Sequence, residues 1–473
     1  MRSFLDRLPP VRTYREIRRD FDPLVLVLAA GDLVASFGFA LVFPFLTIYL
    51  VEKLGATANQ AGLVLAAYSV CSIVSGAAGG WLADRVGRRR VMIVSVGLTA
   101  IVIALMGQAG DLASITVLTI ALGIVDPAFI PAARAAIADV VPEDRRLRAY
   151  SLLSVANAVG WIAGPAIGAG LATLGYDVLF LASGLIIGCY SVIAFVWLPE
   201  TLGRRATSGT AAEDLEADEA PVVMGATPAA TGELGRDRAG AAAETHAGTS
   251  VAVPGPASAG ARAPMPASAD EERRLDRARV RAFTVFLPIA AVVHATVFLW
   301  VTVLPIHAAR DLGIATNAWG LLFSVNGLII VVFQLRVTSL VEGRPKAFVM
   351  AAAMIGYAAG MAVIAALSGP ALAVPGLAIA IVLFTVGEIL LFPQEPSFTS
   401  DLSPADRRGR YQGIFLAATG VGTALGPPVG GYLLDATPGA TLWVLAAGTF
   451  LVASAAFTLL GRATRSLPPG DGA

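Results

Sequence analysis

Four titratable residues stand where acids and bases are scarce. Asp32, Asp126 and Glu388 interrupt long apolar runs, and His294 interrupts another. A carboxylate at bilayer depth costs about 2.5–3.5 kcal/mol on insertion scales, so it faces a cavity or a partner and has a task. Two tasks suit it: holding a cation, or taking up and releasing a proton. Histidine titrates near neutrality and suits the second. The structural alternative for each is a hydrogen-bonded tie between helices. Asp126 and Glu388 are 262 positions apart. Glu395 and Arg134 follow them along the same runs, and could form a gate ion pair with one another or pair with the intramembrane acids.

The elements that must position these groups are membrane-spanning helices. Hydrophobic residues make up 56% of the chain, charged ones 14%, and the mean hydropathy is +0.73. A soluble domain carries about 25% charged residues, so lipid must solvate most of this chain. A span needs roughly 20 apolar residues. Such runs fall at about 23–50, 60–82, 91–107, 112–140, 149–174 and 178–198, then at 282–307, 317–340, 347–367, 371–400, 409–434 and 441–460. The expected class is an all-α membrane protein of twelve transmembrane helices in two six-helix bundles. The expected division is a tail at 1–22, bundles at 23–200 and 282–460, a linker at 201–281 and a tail at 461–473. The linker is rich in Ala, Gly, Pro and Thr, has no apolar period and reads as disordered. The first run is long enough to remain in the membrane, which argues against a cleaved signal peptide.

Arginine sets the orientation. It crowds alternate connections, at 85–90, 145–148, 204–205, 407–410 and 462–465, with Arg344 and Lys346 in another. The intervening loops carry little beyond Lys53 and Arg310. The positive-inside bias places both termini in the cytoplasm. The halves also repeat: VVPEDRRLRAY at 140–150 aligns with LSPADRRGRYQ at 402–412. Pro131 and Asp139 match Pro393 and Asp401 at the same 262-residue offset. Parallel repeats place a substrate site between the halves near the midplane.

Two motifs carry further information. Between the second and third runs lies Gly80-Trp-Leu-Ala-Asp84-Arg85-Val-Gly87-Arg88-Arg89-Arg90. Gly87 permits a tight turn, Gly80 close helix approach, and Asp84 can cap a helix N-terminus. In the fifth run Gly160, Gly164, Pro165 and Gly168 form a smooth face with a helix-bending proline, repeated by Gly422, Gly426, Pro427 and Gly430.

The first motif resembles the loop signature of the major facilitator superfamily, and the second its antiporter signature. The pattern, with FPFLTIYL in the first run and Asp126-Pro127 in the fourth, most resembles the drug:proton antiporter (multidrug efflux) branch. The resemblance implies a cytoplasmic latch, with Asp84 facing the start of the eleventh span and Arg88 pairing with Asp139. It also implies export of small molecules against protons, by rocking of the halves. One departure is plain: Thr119-Ile-Ala-Leu-Gly123 occupies the place where many antiporters of the family carry an arginine motif. Arg134 lies about four turns further along, too far to replace it.

No phosphate-binding loop, metal cluster or nucleophile elbow appears in the sequence, so the chain reads as a non-enzyme with no cofactor and no metal, driven by an ion gradient. Its expected partners are protons, a small-molecule substrate and the bilayer, with no nucleic acid, acting as a monomer in a bacterial inner membrane. Lysine supplies only Lys53 and Lys346 among 34 basic residues, which suggests a GC-rich bacterial genome. Cys71 and Cys189 read as small buried hydrophobes, and His307 as an interfacial residue. The competing functions are a proton symporter or facilitator for a metabolite such as a sugar or amino acid, and a non-transporting membrane sensor.

Overall fold

The computed structural model describes residues 23–141, 143–201, 269–367, 369–370, 372–404 and 407–465. The expected N-terminal tail, residues 466–473 of the expected C-terminal tail, Arg204, Arg205 and most of the expected linker lie outside these residues, as do the side chains of Arg145, Arg146 and Arg148.

Among the described residues, twelve helices are long and apolar enough to cross a membrane. In chain order they are α1 (Pro23–Glu52), α2 (Ala58–Val86), α3 (Arg88–Met106), α4 (Leu112–Val140), α5 (Leu152–Leu174) and α6 (Tyr176–Trp197). The second half holds α7 (Arg274–Arg310), α8 (Thr316–Gln334), α9 (Lys346–Ala366), α10 (Ala373–Leu402), α11 (Arg408–Ala436) and α12 (Gly439–Thr464). Their ends follow from local chemistry. Thr57 and Gln60 make a reciprocal capping box that starts α2. Asp111 accepts from the Ser114 N–H at 2.8 Å to start α4, and that hydrogen bonding holds its carboxyl below the usual range. Gly87, at φ 111°, ends α2 and starts α3 in one residue, a conformation an L side chain would strain.

Three spans are interrupted. Helix α4 tightens to a 3₁₀ turn at Asp126–Ala128, α10 breaks before Gln394 at Pro393, and α7 breaks near Phe298 and Val303. Breaks inside a membrane require other groups to satisfy the freed carbonyls. In α4 the Ser75 hydroxyl donates to the Ile124 carbonyl and Ser95 to that of Val125 at 2.7 Å. In α10 the Gln334 amide donates to the Ile389 carbonyl at 3.2 Å.

The glycine faces position the helices. A Cβ on Gly160, Gly164 or Gly168 would strike α1 at Phe37, Ala40 or Leu41. The repeat makes the same close approach in the second half, where Gly422, Gly426 and Gly430 press α11 onto α7 at Ala291, Ala295 and Leu299. Between halves, Gly62 of α2 abuts the Pro427 carbonyl and Gly431 of α11 abuts Ala58. Gly320 and Gly327 of α8 meet Pro165 and Ile162 of α5.

Three expectations need correction. The helix containing α7 begins at Ala269, inside the stretch expected as linker, because its first turns are charged and invisible to hydropathy. Gly79, not Gly80, makes the close approach: its Cβ would lie 2.6 Å from the Ala128 Cα, whereas that of Gly80 meets only Pro131 at 3.7 Å. Cys189 is exposed on the outside of the bundle, since hydropathy does not separate lipid-facing from core positions. His307, in the last turns of α7, is buried against the Trp443 ring, with Nδ1 2.7 Å from Asp311 Oδ2.

Candidate transport site

The first half contains a chamber built from α1, α2, α4 and α5. Asp32, Phe129, Ile130 and Asn157 line both of its compartments, which have volumes of about 640 and 190 Å³. Arg134 opens onto the larger and Asp126 onto the smaller. The 3₁₀ turn in α4 presents Asp126, and Tyr68 Oη donates to its Oδ2 at 3.5 Å. Asn157 Nδ2 donates to Ser36 Oγ at 2.5 Å, one turn beyond Asp32. The rings of Phe39, Tyr68, Phe129 and Trp161 line the chamber, and Phe43 packs against three of them. Phe39 stacks on Phe43 at 5.1 Å, both rings meet Trp161 edge-on at 6.1–6.2 Å, and Tyr68 lies 6.1–6.4 Å from each. Trp161 lies 6.4 Å from Phe323 of the second half. Carboxylates framed by aromatic faces favour organic cations, through charge and the negative face of the rings.

The second half treats its polar groups differently. Glu388 Oε2 accepts from Asn326 Nδ2 at 2.5 Å, and the same amide donates to Thr385 Oγ1 at 2.9 Å, tying α8 to α10. His294 Nε2 lies 2.9 Å from Glu395 Oε2, with Glu395 buried in α10. The expected Arg134–Glu395 pair is therefore not formed. Each stands on a different half, and a histidine within its own half takes Glu395.

At the arginine-bearing end of the first half, Arg88 is the centre of a cluster. Its guanidinium meets Asp84 Oδ1 at 2.7 Å, Asp139 Oδ2 at 3.1 Å and the Ala83 carbonyl at 2.8 Å. Its backbone N–H donates to Glu200 Oε1 at 3.0 Å, placing a carboxylate at the N-terminus of α3. The sequence reading missed Glu200; an acid just past the end of α6 was the available signal. Arg85 lies over the Trp81 ring at 4.2 Å, and Arg89 donates to the Phe195 carbonyl at 2.6 Å. Asp84 does not face α11. It pairs with Arg88 and is 66% exposed, because the halves are joined at the other end.

At that other end Asp435 of α11 links three helices. Its Oδ2 accepts from the Asn59 N–H at 2.8 Å and its Oδ1 from Arg310 Nη1 at 3.0 Å. Asn59 Nδ2 also donates to the Pro428 carbonyl at 3.0 Å. Arg310 extends the chain to Asp311 and thence to His307. Arg310, an exception to the loop charge bias, thus serves a junction between the halves.

The family model for the Major Facilitator Superfamily matches residues 28–239 and 286–472. Two uncharacterised MFS-type transporters of Bacillus subtilis (strain 168) are similar along most of their length. YqjV is 22% identical over 88% of both chains, and YttB 25% identical over 92% of this chain and 94% of its own. The multidrug resistance protein MdtG of Serratia proteamaculans (strain 568) is 34% identical over 36% of this chain and 42% of its own. A solved POT family transporter superposes with a TM-score of 0.69 at 13% identity, covering 92% of this chain and 95% of its own. An inward-facing bacterial homologue of the lysosomal transporter Spinster reaches a TM-score of 0.66 at 13% identity, covering 95% and 98%. These likenesses fix the fold. Through the sequence match to its model, the chain belongs to the Major Facilitator Superfamily and is a membrane transporter, not an enzyme.

Proposed function

We propose that the chain exports amphipathic organic cations in exchange for protons, by alternating access across a bacterial inner membrane. The observation that carries this reading is one chamber lined by Asp32 and Asp126 together with the rings of Phe39, Tyr68, Phe129 and Trp161. A cation neutralises the carboxylates in one state, and protons neutralise them in the other. The two cargoes therefore compete for the same charge, which is the requirement for exchange. The partial likeness to a multidrug resistance protein supports the same reading.

With both termini in the cytoplasm, the junction at Asp435 closes the outer side, and the exposed Asp84 marks a latch released on the inner side. That is an inward-facing carrier, working as a single chain. Outward rocking breaks the Asn59–Asp435 contact and brings Asp84 towards α11.

Arg134 favours a second reading. A guanidinium in the chamber with Asp32 suits a zwitterion, such as an amino acid, taken up by symport. Purified protein in liposomes with an imposed pH gradient separates the two. Export predicts that the gradient drives a cationic dye against the proton flow and that the dye discharges the gradient. Uptake of a labelled zwitterion in the direction of proton flow, with no dye movement, would overturn the export reading.

A further inference from the structure

A second cavity, of about 850 Å³, lies on the outside of the second half between α7 and α12, remote from the chamber. Its lining is graded. Arg274, Arg277 and Arg281 occupy one face of the α7 helix at its charged end, spaced by three and four residues. Val285 and Ile289 continue that face into the apolar part, opposite Leu459 and Leu460 of α12. Val285 is 52% and Leu459 63% exposed, so the groove opens sideways, towards lipid. Alanines create the space: Ala278 and Ala282 on α7 face Ala456 and Ala463 on α12.

The dimensions match a membrane lipid. Arg274 to Arg281 covers about 10 Å of helix axis, close to the thickness of one headgroup layer, about 5–8 Å. The apolar residues follow immediately below, where acyl chains begin. Arg462 and Arg465 are exposed at the same end of α12 and add positive charge. Asp276 is directed to Arg279, on the neighbouring face, at 3.8 Å, and Asp270, Glu271 and Glu272 precede Arg274 in the chain. Basic pockets between transmembrane helices hold anionic headgroups.

We infer that the α7–α12 groove is a binding site for one anionic phospholipid, its phosphate held by Arg274, Arg277 and Arg281 and an acyl chain lying along Val285, Ile289 and Leu459.

The test uses the full chain in detergent, offered phosphatidylglycerol and phosphatidylcholine with identical acyl chains and read by native mass spectrometry. The wild type should retain phosphatidylglycerol preferentially. Each arginine neutralised in R274Q, R277Q and R281Q should reduce that preference about fivefold, with thermal stability unchanged because all three side chains are exposed. Filling the groove with Ala456→Phe should lower retention of phosphatidylglycerol while the arginines remain. Three results would overturn the proposal: undiminished preference in the triple variant, equal loss of both lipids on arginine removal, or displacement of the lipid by inorganic phosphate at equal concentration. A groove occupied by a second copy of the chain would appear as a dimer without lipid, and would overturn it too.

Discussion

The two halves descend from one repeat, yet they handle buried polarity in opposite ways. In the first half, Asp32 and Asp126 line open space with Arg134, the Asn157 amide and the rings of Phe39, Tyr68, Phe129 and Trp161. In the second, Glu388 is tied to Asn326 and Glu395 to His294. The 262-residue offset that relates Asp126 to Glu388 therefore relates a cavity group to a helix tie. Symmetry fixes the place of a charge in the fold, and the neighbours decide its use. At Glu388 the amide of Asn326 holds the acid in a tie between α8 and α10. The first half lacks such a partner for Asp126 beyond a long contact from Tyr68.

The most severe way to break this contrast is Asp126→Asn. It should abolish exchange in proteoliposomes under a pH gradient, while Glu388→Gln retains measurable transport. Equal loss in both variants would erase the distinction between the halves. Stability should show the reverse bias. His294→Ala leaves the buried Glu395 carboxyl without its hydrogen-bond partner, costing about 1–3 kcal/mol, whereas Asp32→Asn, which keeps a polar side chain facing the chamber, should change stability little. Thermal unfolding of purified variants checks this, and a double-mutant cycle isolates the His294–Glu395 coupling.

Removing one ring of the chamber should have a smaller effect. Trp161→Ala should weaken binding of a quaternary ammonium dye by about 2- to 30-fold, corresponding to about 0.5–2 kcal/mol for a cation–π contact. Titration calorimetry would measure it, and removing the second-half Trp300, stacked on Phe384 within the core, should leave dye affinity intact. The smallest effect is expected at the junction that both halves share. Asn59→Ala loses a side-chain hydrogen bond of about 1 kcal/mol, which should raise the outward-open fraction several-fold, read by distances between spin labels at the two ends.

The sequence disclosed the architecture because apolar runs of helical length leave little choice of fold in lipid. It also disclosed Asp32, Asp126, Glu388 and His294, since a charge in such a run is conspicuous. What it hid were relationships across space. His294 and Glu395 are separated by 101 residues, and no local pattern marks them as partners. The chamber's aromatic wall draws on α1, α2, α4 and α5, whose rings look like ordinary core residues one helix at a time. Glycine register was visible only within one position, so Gly80 stood in for Gly79. The charged start of α7 was hidden for the opposite reason: a helix that rises out of lipid no longer has an apolar signature.

Glu200 has a mechanical consequence. Its carboxylate is fastened to the amide of Arg88, and the residues joining the two halves depart from Thr201 immediately after it. The tether is thus anchored in the same turn that carries the latch. Tension along it would reach the end of α6 through the backbone and the α2–α3 turn at Gly87 and Arg88 through the Glu200 carboxylate, so shortening or loading that connection should bias which side of the carrier is open.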